Sequence, residues 1–404
     1  MKIAIVGGGP SGLYLAILLK RRRPDFHVTV LEQNSADSTF GFGVVLADSG
    51  LNRIQEADPR VYALLVEHMN FNGAQTIKVK EEAIELKHPA KGGAIARITL
   101  LHLLQQEAAA LGTDIRYGVR IEHPRELEAL GPGDADVVVG ADGVNSAVRT
   151  AFETEFGTTR ESLTNHFAWF GTSREFERSA LVFRQWEGGS FVAHYYPYGK
   201  NASTFVAECD HATWEKLGMD SMSNEQRQAL FERVFAPELQ GAPLVSNNSN
   251  WRQFPVIRSA GWTCGPHVLI GDAQTSAHFS IGSGTRIAME DAIALAEALT
   301  APGDSTPLQR LDTFVQARGP EKAKLLGASR KSYLWYEEFG DWMRRCTPLQ
   351  FVHAFMTRTG RLDEARLAAQ YPDLFAQLAH AGLVDAAPVQ HQRAKTSASG
   401  RATQ

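Results

Sequence analysis

Three glycines near the start of the chain, Gly7, Gly9 and Gly12, have the spacing G-x-G-x-x-G. In this pattern the first glycine permits a tight turn. The second lets backbone N–H groups approach a pyrophosphate, and the third lets a helix pack closely on a sheet. Glu32 follows 20 residues after Gly12, at the distance where a carboxylate accepts hydrogen bonds from ribose hydroxyls. These residue types and this spacing predict a dinucleotide site.

The local sequence also predicts the elements that such a site needs. Residues 2–6 form a short apolar run, which is typical of a buried strand. Residues 13–20 have helical spacing that ends before Pro24, and residues 28–31 predict a second strand leading to Glu32. The start of the helix would offer free N–H groups and a positive dipole end to a phosphate. A chance glycine-rich turn is the weaker alternative.

Further along the chain, two acids end apolar runs that predict buried strands. Asp142 lies at the end of one such run, and Asp272 ends residues 267–272. Alternation of strands and helices at this spacing predicts a doubly wound parallel sheet. Arg97 falls in the first turn of a helix predicted over residues 97–112, where a cation opposes the helix dipole at a cost of about a few tenths of a kcal/mol. An anionic ligand would explain this arginine, and an ordinary surface role is the equal alternative.

The middle of the chain has a different sequence pattern: short runs rich in aromatic residues, which predict β-strands, are separated by turns. We therefore expect an α/β protein in which residues 1–150 and 261–345 form one discontinuous nucleotide-binding domain. Residues 151–260 would form an inserted, mostly antiparallel sheet that binds substrate. Residues 346–385 would be C-terminal helices, and residues 386–404 a disordered tail.

Composition excludes several classes of function. The net charge of −4 gives no basis for binding nucleic acid or a membrane surface. The spacing of Cys209, Cys264 and Cys346 predicts neither a disulfide framework nor a metal site. A strand at the very start argues against a signal peptide, and no apolar run is long enough for a membrane span. We expect a cytoplasmic protein without stable membrane association, and a homodimer is a possible state.

Three stretches together resemble the class A flavoprotein aromatic monooxygenases of the p-hydroxybenzoate hydroxylase type. They are residues 7–12, the Asp-Gly stretch 142–149 and Gly-Asp-Ala at 271–273, and the resemblance covers roughly residues 1–340. It implies a Rossmann-like FAD-binding domain of the GR2 type. NADH or NADPH would reduce FAD, O₂ would add at flavin C4a, and one oxygen atom would be transferred to an activated aromatic ring.

A narrower resemblance rests on Phe-Gly-Phe-Gly-Val-Val at 40–45, Trp-Phe-Gly-Thr at 169–172 and residues 278–285. These are similar to the branch that contains salicylyl-CoA 5-hydroxylase, 2-aminobenzoyl-CoA monooxygenase and protodeoxyviolaceinate monooxygenase. The implied substrate is an aryl-CoA thioester such as salicylyl-CoA. An indole-type compound or a free aromatic acid is the alternative. A flavin-dependent halogenase would carry Gly-Trp-x-Trp-x-Ile-Pro, which the sequence lacks, and a flavin dehydrogenase is also less expected.

The resemblance also assigns roles by position. Glu32 would hold the adenosine ribose, Arg97 would face the pyrophosphate, and Asp272 would bond the ribityl chain. The glycine loop would place a helix N-terminus near flavin N1, where it favours negative charge. The expected FAD-binding residues are Gly7, Gly9, Pro10, Ser11, Gly12, Glu32, Gln33, Gly43, Val44, Arg97, Val119, Asp142, Gly143, Asp272, Gly282, Gly284 and Thr285.

Catalytic residues are harder to assign, because the oxygen-transfer chemistry belongs to the cofactor. His278 and Phe279 stand where many members of the family have paired prolines, so His278 is either a substrate contact or a packed loop histidine. Arg184, His194 and Tyr196 lie on predicted strands of the inserted sheet and are further candidates, each with a structural role as the alternative. No residue type in the sequence identifies a catalytic base.

Overall fold

A computed structural model describes residues 1–71, 73–87 and 92–385. Its strands are β1 (Lys2–Val6), β2 (His27–Glu32), β3 (Gly43–Leu46), β4 (Asn70–Phe71), β5 (Ala74–Val79), β6 (Glu82–Lys87), β7 (Gly93–Ala96), β8 (Asp114–Tyr117), β9 (Val137–Gly140), β10 (Thr158–Thr172), β11 (Ser179–Trp186), β12 (Gly189–Gly199), β13 (Ala202–Cys209), β14 (Leu244–Ser246), β15 (Arg252–Ser259), β16 (Thr263–Cys264) and β17 (His267–Leu269).

The helices alternate with the strands in the first half of the chain and dominate its end. They are α1 (Pro10–Arg22), α2 (Asp48–Ala57), α3 (Pro59–Glu67), α4 (Arg97–Ala110), α5 (Leu127–Leu130), α6 (Ala147–Ala151), α7 (His211–Lys216), α8 (Asn224–Val234), α9 (Ala236–Leu239), α10 (Gly284–Thr300), α11 (Pro307–Glu337), α12 (Phe339–Arg345), α13 (Pro348–Thr357), α14 (Glu364–Gln370) and α15 (Pro372–His380).

The first sheet has the strand order β16-β17-β9-β1-β2-β8. Its strands run parallel except for the edge strand β16, which pairs with β17 in the antiparallel sense. Apolar residues of α1, α4, α10 and α11 pack on this sheet in one core that includes Ile5, Leu15, Leu104, Ile293 and Phe314. The predicted α/β class with a Rossmann-like domain is confirmed.

The second sheet has the order β14-β10-β13-β12-β11-β5-β6, and β15 also pairs with β10. The β10–β15 strands come from the middle of the chain, as the sequence indicates, and they pair antiparallel. The hairpin β5–β6 lies within the range 1–150 expected for the nucleotide-binding domain, but it belongs to the second sheet. It joins the second sheet through a parallel pairing of β5 with β11, which buries Ile77 and Val79.

The two faces of the second sheet have different partners. Phe205, Ala207 and Cys209 of β13 point to one side and pack with Phe231 and Phe235 at the α8 end. We call this side the outer face. The alternate residues of β13 point to the opposite side, which we call the inner face.

The C-terminal helices cover the β5–β6 end of the second sheet. Phe351 and Phe355 of α13 and Leu374 of α15 share a core with Ile77 and Val79. Helices are therefore present between 346 and 385, whereas the predicted disordered tail, 386–404, lies outside the described residues. Within the described ranges, no helix combines the length and the apolar character needed to cross a membrane.

Candidate active site

The three sequence motifs meet at one place, at the carboxyl ends of β1, β9 and β17. Gly7 has φ +109°, and a Cβ there would lie 2.5 Å from the carbonyl oxygen of Ala141. A Cβ on Gly271 would lie 3.4 Å from Ser11 Oγ. Arg149, from the Asp-Gly stretch, donates from Nη1 to the carbonyl oxygen of Ala273 at 3.0 Å. Stretches far apart in sequence therefore form a single cleft.

The start of α1 is open toward this cleft. Its N-cap is Gly9, and no side chain caps the helix, so the first N–H groups remain available to an anion. A Cβ on Gly9 would meet no protein atom within 4 Å. Gly12 instead faces the protein, since a Cβ there would lie 2.1 Å from the carbonyl oxygen of Gly7. The arrangement fits a pyrophosphate above Gly9 and close helix packing at Gly12.

Glu32 sits at the tip of β2 and organises the glycine turn. Its Oε2 accepts a hydrogen bond from the backbone N–H of Gly8 at 2.7 Å, and its Oε1 accepts one from the N–H of Asn34 at 2.8 Å. Oε1 also accepts from Asn34 Nδ2 at 2.7 Å, whereas Oε2 keeps a further lone pair that can accept from a ribose hydroxyl. The side chain thus fits the predicted ribose role and also holds the turn.

We expect Glu32→Ala to weaken FAD binding by about 1.5–3 kcal/mol, the range for hydrogen bonds to a charged group. The FAD dissociation constant, measured by quenching of flavin fluorescence, checks this. Glu122→Ala removes an exposed glutamate elsewhere on the surface and is the matched control. An unchanged dissociation constant for Glu32→Ala would rule out the ribose role.

Two opposite charges face each other across the cleft. Asp272 is solvent-exposed, but the surrounding protein desolvates it and raises the pKa of its carboxyl. Arg97 is half-buried, and desolvation lowers the pKa of its guanidinium, while the charge of Asp272 acts in the opposite direction. Among the residues that the structure describes, no side chain or carbonyl accepts a hydrogen bond from the Arg97 guanidinium. Groups that line a cleft can contact solvent and still be partly desolvated by the surrounding protein, as Asp272 and Arg97 are. The free guanidinium of Arg97 fits the pyrophosphate.

Asp142 offers the clearest sign of a ligand that completes the site. Its Oδ2 accepts from the N–H of Ala147 at 2.7 Å, whereas its Oδ1 is buried without a hydrogen-bond partner in the described chain. Burial raises the pKa of this carboxyl. An unpaired buried acceptor costs free energy unless a donor reaches it. A hydroxyl of FAD would be such a donor, and Gly143 beside it leaves open space.

The N-terminus of α10 closes the cleft on the other side. Gly282 adopts the left-handed conformation with φ +57°, and the N-cap Ser283 forms no side-chain cap with the helix. The N–H groups of Gly284 and Thr285 therefore lie in an uncapped first turn of a 17-residue helix. This fits the expected placement near flavin N1, because the positive end of the helix stabilises negative charge.

The remaining predicted FAD contacts lie around this cleft or border the second sheet. Gln33 is exposed beyond Glu32, and the N–H of Val119 donates to the carbonyl oxygen of Glu32 at 2.9 Å. Val44 belongs to the core of the first sheet. The N–H of Gly43 donates to Thr204 Oγ1 at 2.8 Å, so the close approach that a glycine permits here is made to the second sheet.

An aromatic cluster lies between the inner face and the turn that precedes Gly282. The ring of Phe279 lies 4.7 Å from Phe167 and 5.5 Å from Trp169, both on the inner-face side of β10. His278 stacks on Phe279 at 4.2 Å and contacts Phe254 at 4.6 Å. We call Phe167, Trp169, Phe254, His278 and Phe279 the aromatic pocket. Its position next to the α10 N-terminus puts it beside the expected flavin ring.

The two candidate histidines are both neutral. Burial lowers the pKa of His278 to about 3 and that of His194 to about 4. His278 Nδ1 accepts from the N–H of Ser280 at 3.1 Å, so this nitrogen caps the turn. His194 pairs with Val206, which pairs in turn with Trp169, so these three residues form one row across the inner face. Neither histidine can serve as a cationic acid at neutral pH.

Arg184 and Tyr196 are held by structural contacts. Arg184 pairs with Phe191, an outer-face residue, and its guanidinium binds Glu81 at 2.7 Å and Glu238 at 2.7 Å. The structure therefore places Arg184 on the opposite face from His194, because the alternation puts them on different sides of adjacent strands. Tyr196 donates from Oη to the carbonyl oxygen of Gly43 at 2.9 Å.

Sequence reasoning missed several polar residues near the pocket. Arg252 stacks over the rings of Phe167 and Trp169 at 5.6 Å and 5.5 Å from their centroids. Glu208 on β13 and Asn165 on β10 are buried side by side. Only the strand register brings these residues together, so no local sequence signal identifies them. A separate cavity of about 390 Å³ lies behind the Asp-Gly stretch, between Arg149 and Arg160.

A parallel sheet with this glycine turn, an acid at the tip of β2 and a second Gly-Asp turn defines an FAD-binding oxidoreductase. The chain belongs to the family described as FAD binding domain, whose model matches residues 1–329. It is an FAD-dependent aromatic monooxygenase, and the expected resemblance is confirmed.

The chain is 40% identical over 368 residues to salicyloyl-CoA 5-hydroxylase from a Streptomyces species, covering 89% of this chain and 70% of that protein. It is 32% identical to 3-hydroxy-4-methyl-anthranilyl-[aryl-carrier protein] 5-monooxygenase from Streptosporangium sibiricum, over 92% of this chain and 97% of that protein. A solved structure of 2-methyl-3-hydroxypyridine-5-carboxylic acid oxygenase matches the fold with a TM-score of 0.68 at 19% identity, covering 92% and 98% of the two chains.

Proposed function

We propose that this enzyme hydroxylates a phenol- or aniline-type ring that is carried as a thioester, most simply an aryl-CoA such as salicyloyl-CoA. The observation that carries this proposal is the aromatic pocket beside the uncapped N-terminus of α10. Both relatives named above act on aromatic acyl groups joined to CoA or to an aryl-carrier protein. The same chemistry in this chain would need a flat apolar pocket with one polar edge.

Arg252 supplies such a polar edge. The side chain is exposed, and within the described part of the chain it has neither an acidic partner nor a hydrogen bond. Its stacking on Phe167 and Trp169 leaves the guanidinium edge free for an acceptor. A thioester carbonyl oxygen is one fitting acceptor. A free carboxylate is another, so a free aromatic acid such as salicylate is the second candidate substrate.

The chain's own residues bind, orient and shield the reactants. Bound FAD, reduced by NAD(P)H, supplies the activated oxygen that is transferred to the ring. Phe167, Trp169 and Phe279 would hold the ring in a fixed plane and exclude water from it. The neutral state of His194 and His278 means that neither donates a proton from a cationic form to a polar group of the substrate.

Incubation with ¹⁸O₂ and NADH or NADPH tests this proposal. We expect salicyloyl-CoA to give a hydroxylated product with one ¹⁸O atom, and salicylate to give less product under the same conditions. Arg252→Met, which keeps a long apolar side chain, should raise KM for the preferred substrate. Label from water, or turnover without O₂, would overturn the monooxygenase chemistry. Equal turnover of both compounds would overturn the thioester preference.

The expected homodimer and the cytoplasmic location stay predictions.

A further inference from the structure

Glu208 is a carboxylate on the inner face of the second sheet. The residue is 3% exposed and lies on β13. Its Oε1 accepts a hydrogen bond from Asn165 Nδ2 at 2.9 Å, and the same amide nitrogen donates to the carbonyl oxygen of Tyr336 at 2.8 Å. Within the described part of the chain, Glu208 Oε2 has no hydrogen-bond partner. One oxygen is therefore held by Asn165, and the other keeps its capacity to accept a hydrogen bond.

The register of the second sheet places Glu208 relative to the aromatic pocket. Glu208 pairs with Phe167 on β10 and with Val192 on β12. Phe167 is a wall of the aromatic pocket, and His194 lies two residues beyond Val192 on the same inner face. Since side chains on one face of neighbouring strands point in the same direction, Glu208 lies next to Phe167, at the edge of the aromatic pocket.

We propose that Glu208 is a catalytic residue that accepts the proton of the ring hydroxyl or amino group of the substrate. This inference rests on the function proposed above and deepens it. In the step, the O–H or N–H bond breaks and its proton moves to Glu208 Oε2. The released electron pair enters the ring and drives formation of the new carbon–oxygen bond at the activated carbon.

Protons and electrons balance in the overall hydroxylation by O₂ and NAD(P)H. One atom of O₂ enters the product, and the other leaves as water with the two electrons of NAD(P)H. When the ring becomes aromatic again, the hydroxylated carbon loses its C–H proton to solvent water. Glu208 then returns its proton to the ring oxygen or nitrogen, so the residue is regenerated in its starting state.

The surroundings of Glu208 suit this task. Burial raises its pKa to about 8, and the negative charges of Glu337 on α11 and Asp210 beyond β13 act in the same direction. Asn165 on β10 acts against them by donating a hydrogen bond. The neighbouring Tyr336 stays protonated because burial raises its pKa, and β12 contributes the apolar Val192. A base with this pKa lies much nearer to a phenol, at about 10, than an ordinary glutamate does.

Glu208→Gln tests the inference on the FAD-loaded enzyme by two independent measurements. The first is the absorbance of bound salicyloyl-CoA on the oxidised enzyme. In the wild type, a phenolate band should grow as the pH passes through about 8. The variant should show no such band at that pH. The second is kcat for hydroxylation, which should rise through the same pH range in the wild type and fall by about 10²-fold or more in the variant.

Glu337→Gln is the matched control. Its carboxylate binds the N–H and hydroxyl of Thr164 rather than the pocket, so hydroxylation should persist. Removing this negative neighbour should lower the pKa of Glu208 and move both pH transitions to lower pH. The free energy of unfolding checks that the variant folds. Because the pKa of Glu208 is raised in the folded protein, the wild type should lose stability as pH rises from about 4.5 toward 8. Glu208→Gln should lack this loss.

The outcomes separate this inference from the proposed function. If the wild type makes product while Glu208→Gln keeps both the phenolate band and the rate, Glu208 is not the proton acceptor. If Glu208→Gln loses the rate but keeps the band, the residue only positions the substrate and the inference is overturned. If the wild type makes no hydroxylated product from salicyloyl-CoA or salicylate, the proposed function fails, and this inference fails with it.

Discussion

Replacing Asp291 with alanine is expected to lower the free energy of unfolding by about 3–5 kcal/mol, the range for breaking a buried ion pair on one side. Asp291 is 0% exposed and binds Arg318 Nε at 2.8 Å and Lys322 Nζ at 2.6 Å. Its Oδ2 also accepts from the N–H of Gly271 at 3.0 Å. Alanine would leave two buried cations without this partner.

The same change should also weaken FAD binding, because Asp291 holds the turn that carries Asp272. Lys322 is 0% exposed, and burial lowers the pKa of its ammonium, so the charged form depends on Asp291. Urea unfolding of the apoprotein and an FAD titration measure the two effects. Asp341→Ala removes an exposed partner of Arg344 and should cost no more than about 1 kcal/mol. If Asp291→Ala lowered the free energy of unfolding by less than about 1 kcal/mol, the ion pairs of Asp291 with Arg318 and Lys322 would have no structural role.

The nucleotide half of the molecule could be predicted from sequence because its information is local. A strand, a glycine turn, a helix and an acid at a fixed distance determine one geometry at Gly7–Gly12 and Glu32. The structure adds that Glu32 also holds the N–H of Gly8, which the spacing alone does not reveal. Buried apolar runs likewise predicted the strands that end before Asp142 and Asp272, since parallel strands are apolar on both faces.

For the substrate half, the sequence predicts only a set of short, aromatic-rich strands. Which residues share a face depends on the register between strands, and this register is set by pairings distant in sequence. By residue type Arg184 is a candidate for the site, yet its strand turns it to the outer face beside Glu238. The same register brings Glu208 to the inner face. The parallel pairing of β5 with β11, between residues about a hundred positions apart, also has no local signal.

Alanine at Gly12 is expected to destabilise the apoprotein and to abolish tight FAD binding. A Cβ there would lie 2.1 Å from the carbonyl oxygen of Gly7 and 3.2 Å from Ile5 Cγ2. The first contact is to backbone inside the glycine turn, so α1 must move away from the sheet or the turn must distort. Overpacking of this kind costs about 1–3 kcal/mol or more. Either movement displaces the N–H groups that would bind the pyrophosphate.

Alanine at Gly9 should produce the opposite combination, which separates packing from ligand binding. Gly9 has φ −76°, which alanine adopts without strain, and its Cβ would meet no protein atom within 4 Å. The apoprotein should therefore unfold at the same urea concentration as the wild type. FAD binding should still weaken by about tenfold or more, equivalent to about 1.4 kcal/mol, because the methyl group enters the space of the pyrophosphate. Wild-type affinity in Gly9→Ala would show that the pyrophosphate does not approach this turn. Wild-type stability of the Gly12→Ala apoprotein would show that the helix is free to move.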